Sequence, residues 1–284
     1  MGRGLVVALL FIIGQDGVVP GDAKVEKVAT GYGFTEGPAA DAEGNVWFTD
    51  IPNERILKFD VATGKAEIMR SRTGRANGLA FDAKGRLHAC EGGNRRVTRP
   101  EGDKAVVLAD AFEGKKLNSP NDLDLDEKGG VYFTDPRYGK RDDLEQTLEG
   151  VYYVNPDGKV LRVIDDLKRP NGVVLSPDGR TLYVADNAAG AIFAYDVKDD
   201  GTVGKGREFA RAQGPDGIAV DTQGNLYAAA RDGIRVWDKA GKALGTIEVP
   251  ETPSNCAFGG KDRRTLYVTA RTSLYRIPLN VSGR

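Results

Sequence analysis

Six short polar side chains recur at matching places along the chain, and their oxygen atoms could bind a metal ion. Each stands directly before a residue with a small side chain and an apolar stretch. The six are Glu36, Asn77, Asn121, Asn171, Asp216 and Asn255. Carboxylate and amide oxygens without histidine or thiolate suit Ca²⁺ best, then Mg²⁺ or Mn²⁺, and Zn²⁺ least. Glu36 and Asp216 would balance the two charges of such a cation, which could polarise a carbonyl and activate water.

The same residue types also form turns, which gives a second interpretation of the set. Asn-Gly and Asp-Gly are turn dipeptides, and on this ground Asn77 and Asn255 are expected to be turn formers. Glu36 forms turns poorly, so its presence in the set favours a ligand role.

The six polar residues begin six copies of one sequence layout. A turn residue follows eight positions after each, at Gly44, Gly85, Gly129, Gly179, Gly224 and Arg263. Successive copies start 39 to 50 residues apart, a period typical of four-stranded propeller blades. We therefore predict an all-β protein, a six-bladed β-propeller with four-stranded blades over residues 24–284. The segment KVEKVAT, ahead of the first copy, is expected to close the ring as the outer strand of the last blade.

Composition agrees with a globular all-β protein and excludes some functions. The chain has 284 residues, 40 basic and 41 acidic, with a net charge of −1. Binding to nucleic acid or to a membrane surface through bulk charge therefore has no support. The 37 glycines are spread through turn dipeptides, as many short strands require.

The N-terminal segment has the pattern of an export signal. An apolar run at residues 5–13 follows Arg3, and the small residues Gly21 and Ala23 could mark a cleavage site. The run is too short to span a bilayer. We expect residues 1–23 to be a signal peptide or leader, which predicts a periplasmic or secreted protein without a membrane span. The alternative is an uncleaved leader or first strand in a cytoplasmic protein.

Four segments, in this order, resemble one protein family: TEGP, LNSPNDLDLDEKGGVYFTDPRYG, RPNGVVLSPDGRTLYVADN and GPDGIAVDTQGNLYAAA. They are similar to gluconolactonase, regucalcin (senescence marker protein) and the luciferin-regenerating enzyme. The resemblance implies a six-bladed propeller with one divalent cation, usually Ca²⁺, at the channel mouth. The family's metal ligands match Glu36, Asn171 and Asp216, and Asn121 matches an asparagine beside the metal that contacts substrate.

This resemblance implies metal-dependent hydrolysis of a lactone, such as a sugar lactone opened to an aldonic acid. Asp216 would accept the proton of the attacking water. Arg137 and Tyr138 lie in a long loop of the third copy, PRYGKRDDLEQTLEG, which should overhang the channel as a mobile polar cover. We expect both to contact the substrate, although each could equally be a solvated surface residue.

Other catalytic arrangements find no support in the sequence. A histidine dyad is excluded because His88 is the only histidine, and no Gly-x-Ser-x-Gly segment occurs. His88 is expected to pack in a strand, and Cys90 and Cys256 to be free thiols. A non-catalytic propeller that binds a ligand or partner at its channel remains the alternative to a lactone hydrolase. Carboxylates at both Glu36 and Asp216 favour the enzyme.

Overall fold

The computed structural model describes residues 17–101 and 104–284, and every regular element in these ranges is a β-strand. Within them, six sheets have four strands each, and a small hairpin forms a seventh sheet. The predicted six-bladed propeller is confirmed. Neither range contains a helix of the length and apolar character needed to cross a bilayer. Most of the expected leader, residues 1–16, lies outside the described residues.

The strands follow the blades in chain order, except that the first strand belongs to the last blade. That strand is β1 (Glu26–Thr30). Blade one consists of β2 (Thr35–Ala40), β3 (Val46–Asp50), β4 (Arg55–Asp60) and β5 (Lys65–Ser71). Blade two consists of β6 (Ala76–Phe81), β7 (Leu87–Glu91), β8 (Arg96–Glu101) and β9 (Lys104–Ala109). The small hairpin, β10 (Ala111–Phe112) and β11 (Lys115–Lys116), comes next.

The remaining four blades complete the ring. Blade three consists of β12 (Leu123–Leu125), β13 (Val131–Asp135), β14 (Gly150–Val154) and β15 (Val160–Ile164). Blade four consists of β16 (Pro170–Leu175), β17 (Thr181–Asp186), β18 (Ala191–Asp196) and β19 (Arg207–Arg211). Blade five consists of β20 (Ile218–Val220), β21 (Leu226–Ala230), β22 (Gly233–Trp237) and β23 (Ala243–Ile247). Blade six consists of β24 (Pro253–Gly259), β25 (Thr265–Ala270), β26 (Ser273–Pro278) and β1.

Blade six is closed from both ends of the chain, as predicted. Strand β1 pairs antiparallel with β26, which places Glu26 opposite Arg276 and Thr30 opposite Ser273. The Thr30 and Ser273 hydroxyls lie 2.9 Å apart. Because β1 covers the outer edge of this blade, no other strand is needed to close the ring.

The innermost strands bend at the polar residues of the repeat. The pairing of β2 shifts between Glu36 and Ala39, β6 and β16 shift around their polar residues, and β24 shifts just before Asn255. In blades three and five the ladder begins only after the polar residue, at Leu123 and Ile218. Such irregularities re-aim side chains and are common beside functional sites. They free the polar side chains from the alternating pattern of the sheet.

Neighbouring blades approach closely at the axis because glycine follows most of the polar residues. Gly78 N donates to the Asn121 carbonyl at 2.7 Å, and Gly217 N donates to Ser254 O at 2.8 Å. A Cβ atom on Gly217 would lie 1.8 Å from Cγ of Asn255. A side chain at this position is therefore excluded by the next blade.

The hydrophobic core lies between adjacent blades. Tyr227 of blade five packs with Val268 and Tyr275 of blade six, all of them buried. Burying one such aromatic side chain stabilises the fold by roughly 2–3 kcal/mol. The predicted packing of His88 and of both cysteines is confirmed: His88 is buried on β7, and Cys90 and Cys256 are buried and unpaired.

Candidate active site

Glu36, Asn171 and Asp216 come together at one mouth of the channel. Glu36 is only 4% exposed, and its Oε2 atom accepts a hydrogen bond from Gly37 N at 2.8 Å. The negative charge of Asp216 acts on Glu36, and the Asn171 amide stabilises the charged form of Asp216. Residues from blades one, four and five thus share one buried polar site, although they are far apart in sequence.

Burial and mutual repulsion raise the pKa values of these carboxyl groups. The pKa of Glu36 rises to about 8, mainly because the group is buried and secondly because of the charge of Asp216. The pKa of Asp216 rises to about 7 through burial and the charge of Asp122, although Arg271 opposes this shift. Negative charge is therefore concentrated in the channel. The nearby cationic side chain does not offset the rise in the pKa values of the carboxyl groups.

Asp122 is a third carboxylate of this site, and the sequence interpretation missed it. It is 7% exposed, and its pKa rises to about 8 through burial and then the charge of Glu36. Leu123 N donates to its Oδ1 atom at 3.0 Å, and Asn255 Nδ2 lies 3.5 Å from its Oδ2 atom. The available signal was the third copy of the repeat, which has Asp122 where four other copies have glycine.

The remaining asparagines of the ring have different surroundings. Asn77 and Asn255 lie within β6 and β24, so their interpretation as turn formers is wrong. The Asn255 amide contacts Asp122 and also stabilises the charge of Glu36. Asn121 is buried just before β12, and no described residue hydrogen-bonds its side chain. The Asn121 amide is therefore available to an ion or a substrate.

A loop of residues 136–149, called the flap below, joins β13 to β14 at the same mouth. Tyr138 is 49% exposed, and its hydroxyl accepts a hydrogen bond from Asn171 Nδ2 at 2.7 Å. Arg137 instead pairs with Asp143 inside the flap, and its side chain is 12% exposed. The structure thus brings Tyr138 to the predicted ligands, whereas the Arg137 guanidinium is engaged within the flap.

The second half of the flap is anchored more firmly than a mobile cover would be. Gln146 is buried, and its Nε2 atom donates to Phe112 O at 3.1 Å and to Lys115 O at 3.0 Å. Glu149 is also buried and pairs with Arg141 and Arg169. These contacts tie residues 146–149 to the small hairpin and to blade four.

The donor set fits a divalent cation that prefers oxygen. The carboxylates of Glu36, Asp122 and Asp216 have raised pKa values and repel one another, and a cation among them would remove this repulsion. Within residues 17–101 and 104–284, no three histidine, cysteine or acidic residues are grouped closely enough to hold a metal by themselves. Amide oxygens would have to complete the coordination, which Ca²⁺ accepts and Zn²⁺ rarely uses.

Below the ring the channel continues as a cavity of about 630 Å³. Its lining includes Asp122 and Asn255 of the site, as well as Arg284. The Arg284 guanidinium pairs with Asp124 there, at 2.7 Å from both carboxylate oxygens.

The fold and this mouth define a six-bladed propeller protein with an oxygen-donor site on its axis. Residues 34–272 match the family described as SMP-30/Gluconolactonase/LRE-like region. The chain belongs to this family, which confirms the resemblance seen in the sequence.

Individual relatives extend over most of the chain. A gluconolactonase from Zymomonas mobilis is 32% identical, and the match covers 94% of this chain and 85% of the relative. The structure of a gluconolactonase from Xanthomonas campestris aligns with a TM-score of 0.86 and 36% identity, covering 91% and 90% of the two chains. A calcium-binding regucalcin from Agrobacterium tumefaciens has the same fold, with a TM-score of 0.79, 21% identity and coverage of 94% and 97%.

Proposed function

We propose that the protein hydrolyses a lactone, in the manner of a gluconolactonase, at the flap mouth of the channel. The two gluconolactonases that resemble the chain over most of its length support lactone hydrolysis. The observation that carries the proposal is the convergence of Asp216, which is partly buried, with the buried side chains of Glu36 and Asn171 in one site of oxygen and amide donors. A scaffold that only bound a partner would have no need to bury these carboxylates.

A divalent cation is part of this proposal. Glu36, Asn171 and Asp216 would hold it, with Asn121 at or next to it, and Ca²⁺ suits these donors best. When bound, the cation would polarise the lactone carbonyl and favour ionisation of water. The calcium-binding description of the Agrobacterium regucalcin supports a cation of this type.

Asp216 is the proposed base. Its carboxylate belongs to the site itself, beside Glu36 and the Asn171 amide, where it can accept the proton of an attacking water. The water oxygen attacks the carbonyl carbon while Asp216 accepts the water proton. The bond between the carbonyl carbon and the ring oxygen then breaks, and the proton passes to that oxygen, giving a hydroxy acid. Asn121 would contact the substrate during this step, and the sequence also predicts substrate contacts for Arg137 and Tyr138 of the flap.

Paired carboxylate variants test the proposal. Asp216→Asn should lower the hydrolysis rate about 10²-fold or more, even at saturating Ca²⁺, because it removes the base. Glu36→Gln should weaken Ca²⁺ binding, and excess Ca²⁺ should restore much of its rate. Glu208→Gln, in the outer strand β19, is the control because this carboxylate is far from the mouth and pairs only with Arg211.

The measurement is hydrolysis of aldonolactones and simple aliphatic lactones, with and without a chelator. If chelation and both site variants leave hydrolysis unchanged, the proposed cation and base are wrong. If the Ca²⁺-loaded protein hydrolyses no lactone, a binding propeller becomes the better description.

We also propose that residues 1–23 direct export to the periplasm or the outside of the cell. The basis is the apolar run of the sequence. In the structure, Ala23 is buried in the core of blades five and six, and Val18 O accepts a hydrogen bond from Asn280 N at 2.9 Å, so cleavage after residue 23 would remove these contacts. N-terminal sequencing of the mature protein from fractionated cells tests this proposal, and an intact, cytoplasmic N-terminus would contradict it.

A further inference from the structure

The flap reaches the predicted ion site through one hydrogen bond, between Asn171 and Tyr138. Asn171 Nδ2 donates to the Tyr138 hydroxyl at 2.7 Å. We propose that Tyr138 is a positioning residue, which orients the Asn171 amide so that its oxygen faces the cation. The inference rests on the proposed cation site. It implies that the flap helps to bind the cation in addition to covering the site.

The bonding of the amide supports this orientation. An asparagine side chain has two N–H donors and one oxygen acceptor. The amide of Asn171 donates to Tyr138, and it also favours the charged form of Asp216. Among the described residues, none donates to Oδ1 of Asn171. The oxygen is thus left for a cation, whereas the flipped amide would place Oδ1 against the carboxylate of Asp216.

Tyr138 itself is held in place from the side of blade four. The guanidinium of Arg169 lies 5.3 Å from the centroid of the Tyr138 ring. Arg169 Nε lies 3.4 Å from Glu149 Oε2, and Arg141 Nη1 lies 2.6 Å from Glu149 Oε1. Because Glu149 is buried, this ion-pair cluster limits the rotation of an otherwise half-exposed tyrosine.

Cation binding and this hydrogen bond should strengthen each other. A cation at Oδ1 withdraws electron density from the amide, which makes Nδ2 a better donor to Tyr138. By linkage, the hydrogen bond then favours the bound cation. Removing a partner that is hydrogen-bonded to a metal ligand typically weakens metal binding 10- to 100-fold.

The test is Ca²⁺ titration of the full-length, ion-free protein by calorimetry. Tyr138→Phe keeps the ring below Arg169 and removes only the hydroxyl. We expect its Kd for Ca²⁺ to rise about tenfold or more, with an unfolding temperature close to that of the wild type. Tyr183→Phe is the matched control, because no described residue hydrogen-bonds the Tyr183 hydroxyl, and its Kd should stay unchanged.

Kinetics separate this role from the substrate contact that the sequence predicts for Tyr138. If the hydroxyl acts through Asn171, saturating Ca²⁺ should return KM for the lactone to the wild-type value. An unchanged Kd for Ca²⁺ would overturn the inference, and an increased KM at saturating Ca²⁺ would then identify a substrate contact. Should Tyr138→Phe fold poorly, Tyr138→Leu provides a second variant without the hydroxyl.

The wild-type protein distinguishes failure of the inference from failure of the proposed function. A wild type that binds no divalent cation overturns this inference together with the cation site. A wild type that binds Ca²⁺ but hydrolyses no lactone overturns the lactonase proposal alone, and the effect of Tyr138→Phe on Kd still decides the role of the tyrosine.

Discussion

Asp122→Asn should stabilise the ion-free protein at neutral and alkaline pH. The pKa of Asp122 is about 8 in the folded protein, against 3.8 for an unperturbed aspartate. Between about pH 4 and 8 the folded state therefore holds a proton that the unfolded state has lost. Stability must fall as pH rises through this range, because the unfolded state binds fewer protons. The substitution removes this loss, since asparagine has no proton to release.

The magnitude follows from the pKa shift. One pKa unit corresponds to about 1.4 kcal/mol, so a shift of roughly four units sets an upper limit of about 5–6 kcal/mol. The buried asparagine amide costs part of this gain, because only one of its groups has a good partner. We expect Asp122→Asn to add roughly 2–4 kcal/mol at pH 8 and to add no stability at pH 4, where Asp122 is protonated in the folded protein and only the cost of the amide remains. For a chain of this size the gain corresponds to roughly 5–10 °C in Tm.

Thermal unfolding followed by circular dichroism, in chelator and at several pH values, measures the effect. Asp82→Asn is the control, and it should change the stability in the opposite direction. Hydrogen bonds from Arg86 and Lys84 hold the pKa of Asp82 below its usual value, although burial opposes them. Its carboxylate therefore contributes stability that is present at neutral pH and lost as pH falls through the lowered pKa, so Asp82→Asn should destabilise the protein at pH 8.

Added Ca²⁺ should make the wild type as stable as Asp122→Asn, or more stable. The wild type keeps the third negative charge beside the cation, whereas Asp122→Asn does not. If Asp122→Asn is less stable than the wild type at pH 8 in chelator, the view of Asp122 as an unpaired, buried charge is wrong. A stability difference that does not change with pH would refute it as well.

Three further predictions follow from the same structure. Ca²⁺ affinity should increase as pH rises through about 7 to 8, because protons on Glu36 and Asp216 compete with the cation; calorimetry at pH 6 and pH 8 measures this, and equal affinities would contradict it. Gly217→Ala should cost more than about 2 kcal/mol in urea unfolding, since its Cβ would overlap Asn255, whereas Gly204→Ala, with 3.7 Å of clearance, should be nearly neutral. Deleting residues 24–30 should abolish cooperative thermal unfolding, because β26 loses its partner; a sharp transition would show that the ring closes without β1.

The repeat made the architecture and much of the site predictable. A constant offset, as from Glu36 to Gly44, identifies six copies of the repeat. The spacing between the copies gives the blade period, and the first strand of each copy shows which polar residues line the axis. The closure by β1 follows because the sixth copy has only three strands after Asn255. None of these steps requires knowledge of how side chains pack.

The parts that were missed depend on local backbone geometry and on contacts distant in sequence. Asp122 faces the site because the innermost strand is irregular where the ladder starts at Leu123, and the blade period does not encode this. Tyr138 meets Asn171 across 33 residues of sequence, through a flap whose path is set by Gln146 and Glu149. Polarity alone suggested a mobile loop, since burial of these two residues has no signature in the sequence.

The pairing of β1 with β26 also constrains when the protein can fold. Glu26 and Arg276, joined by an ion pair, are 250 residues apart, and closing a loop of this length costs on the order of 5 kcal/mol of chain entropy. During synthesis β1 emerges first and its partner almost last, so the growing chain can form only an open arc of blades. A chain that stops before β26 leaves β1 unpaired and the edge of β25 exposed to aggregation. Ring closure is therefore the step that distinguishes a complete chain from a truncated one, and the long sequence separation of β1 and β26 predicts that this step is slow.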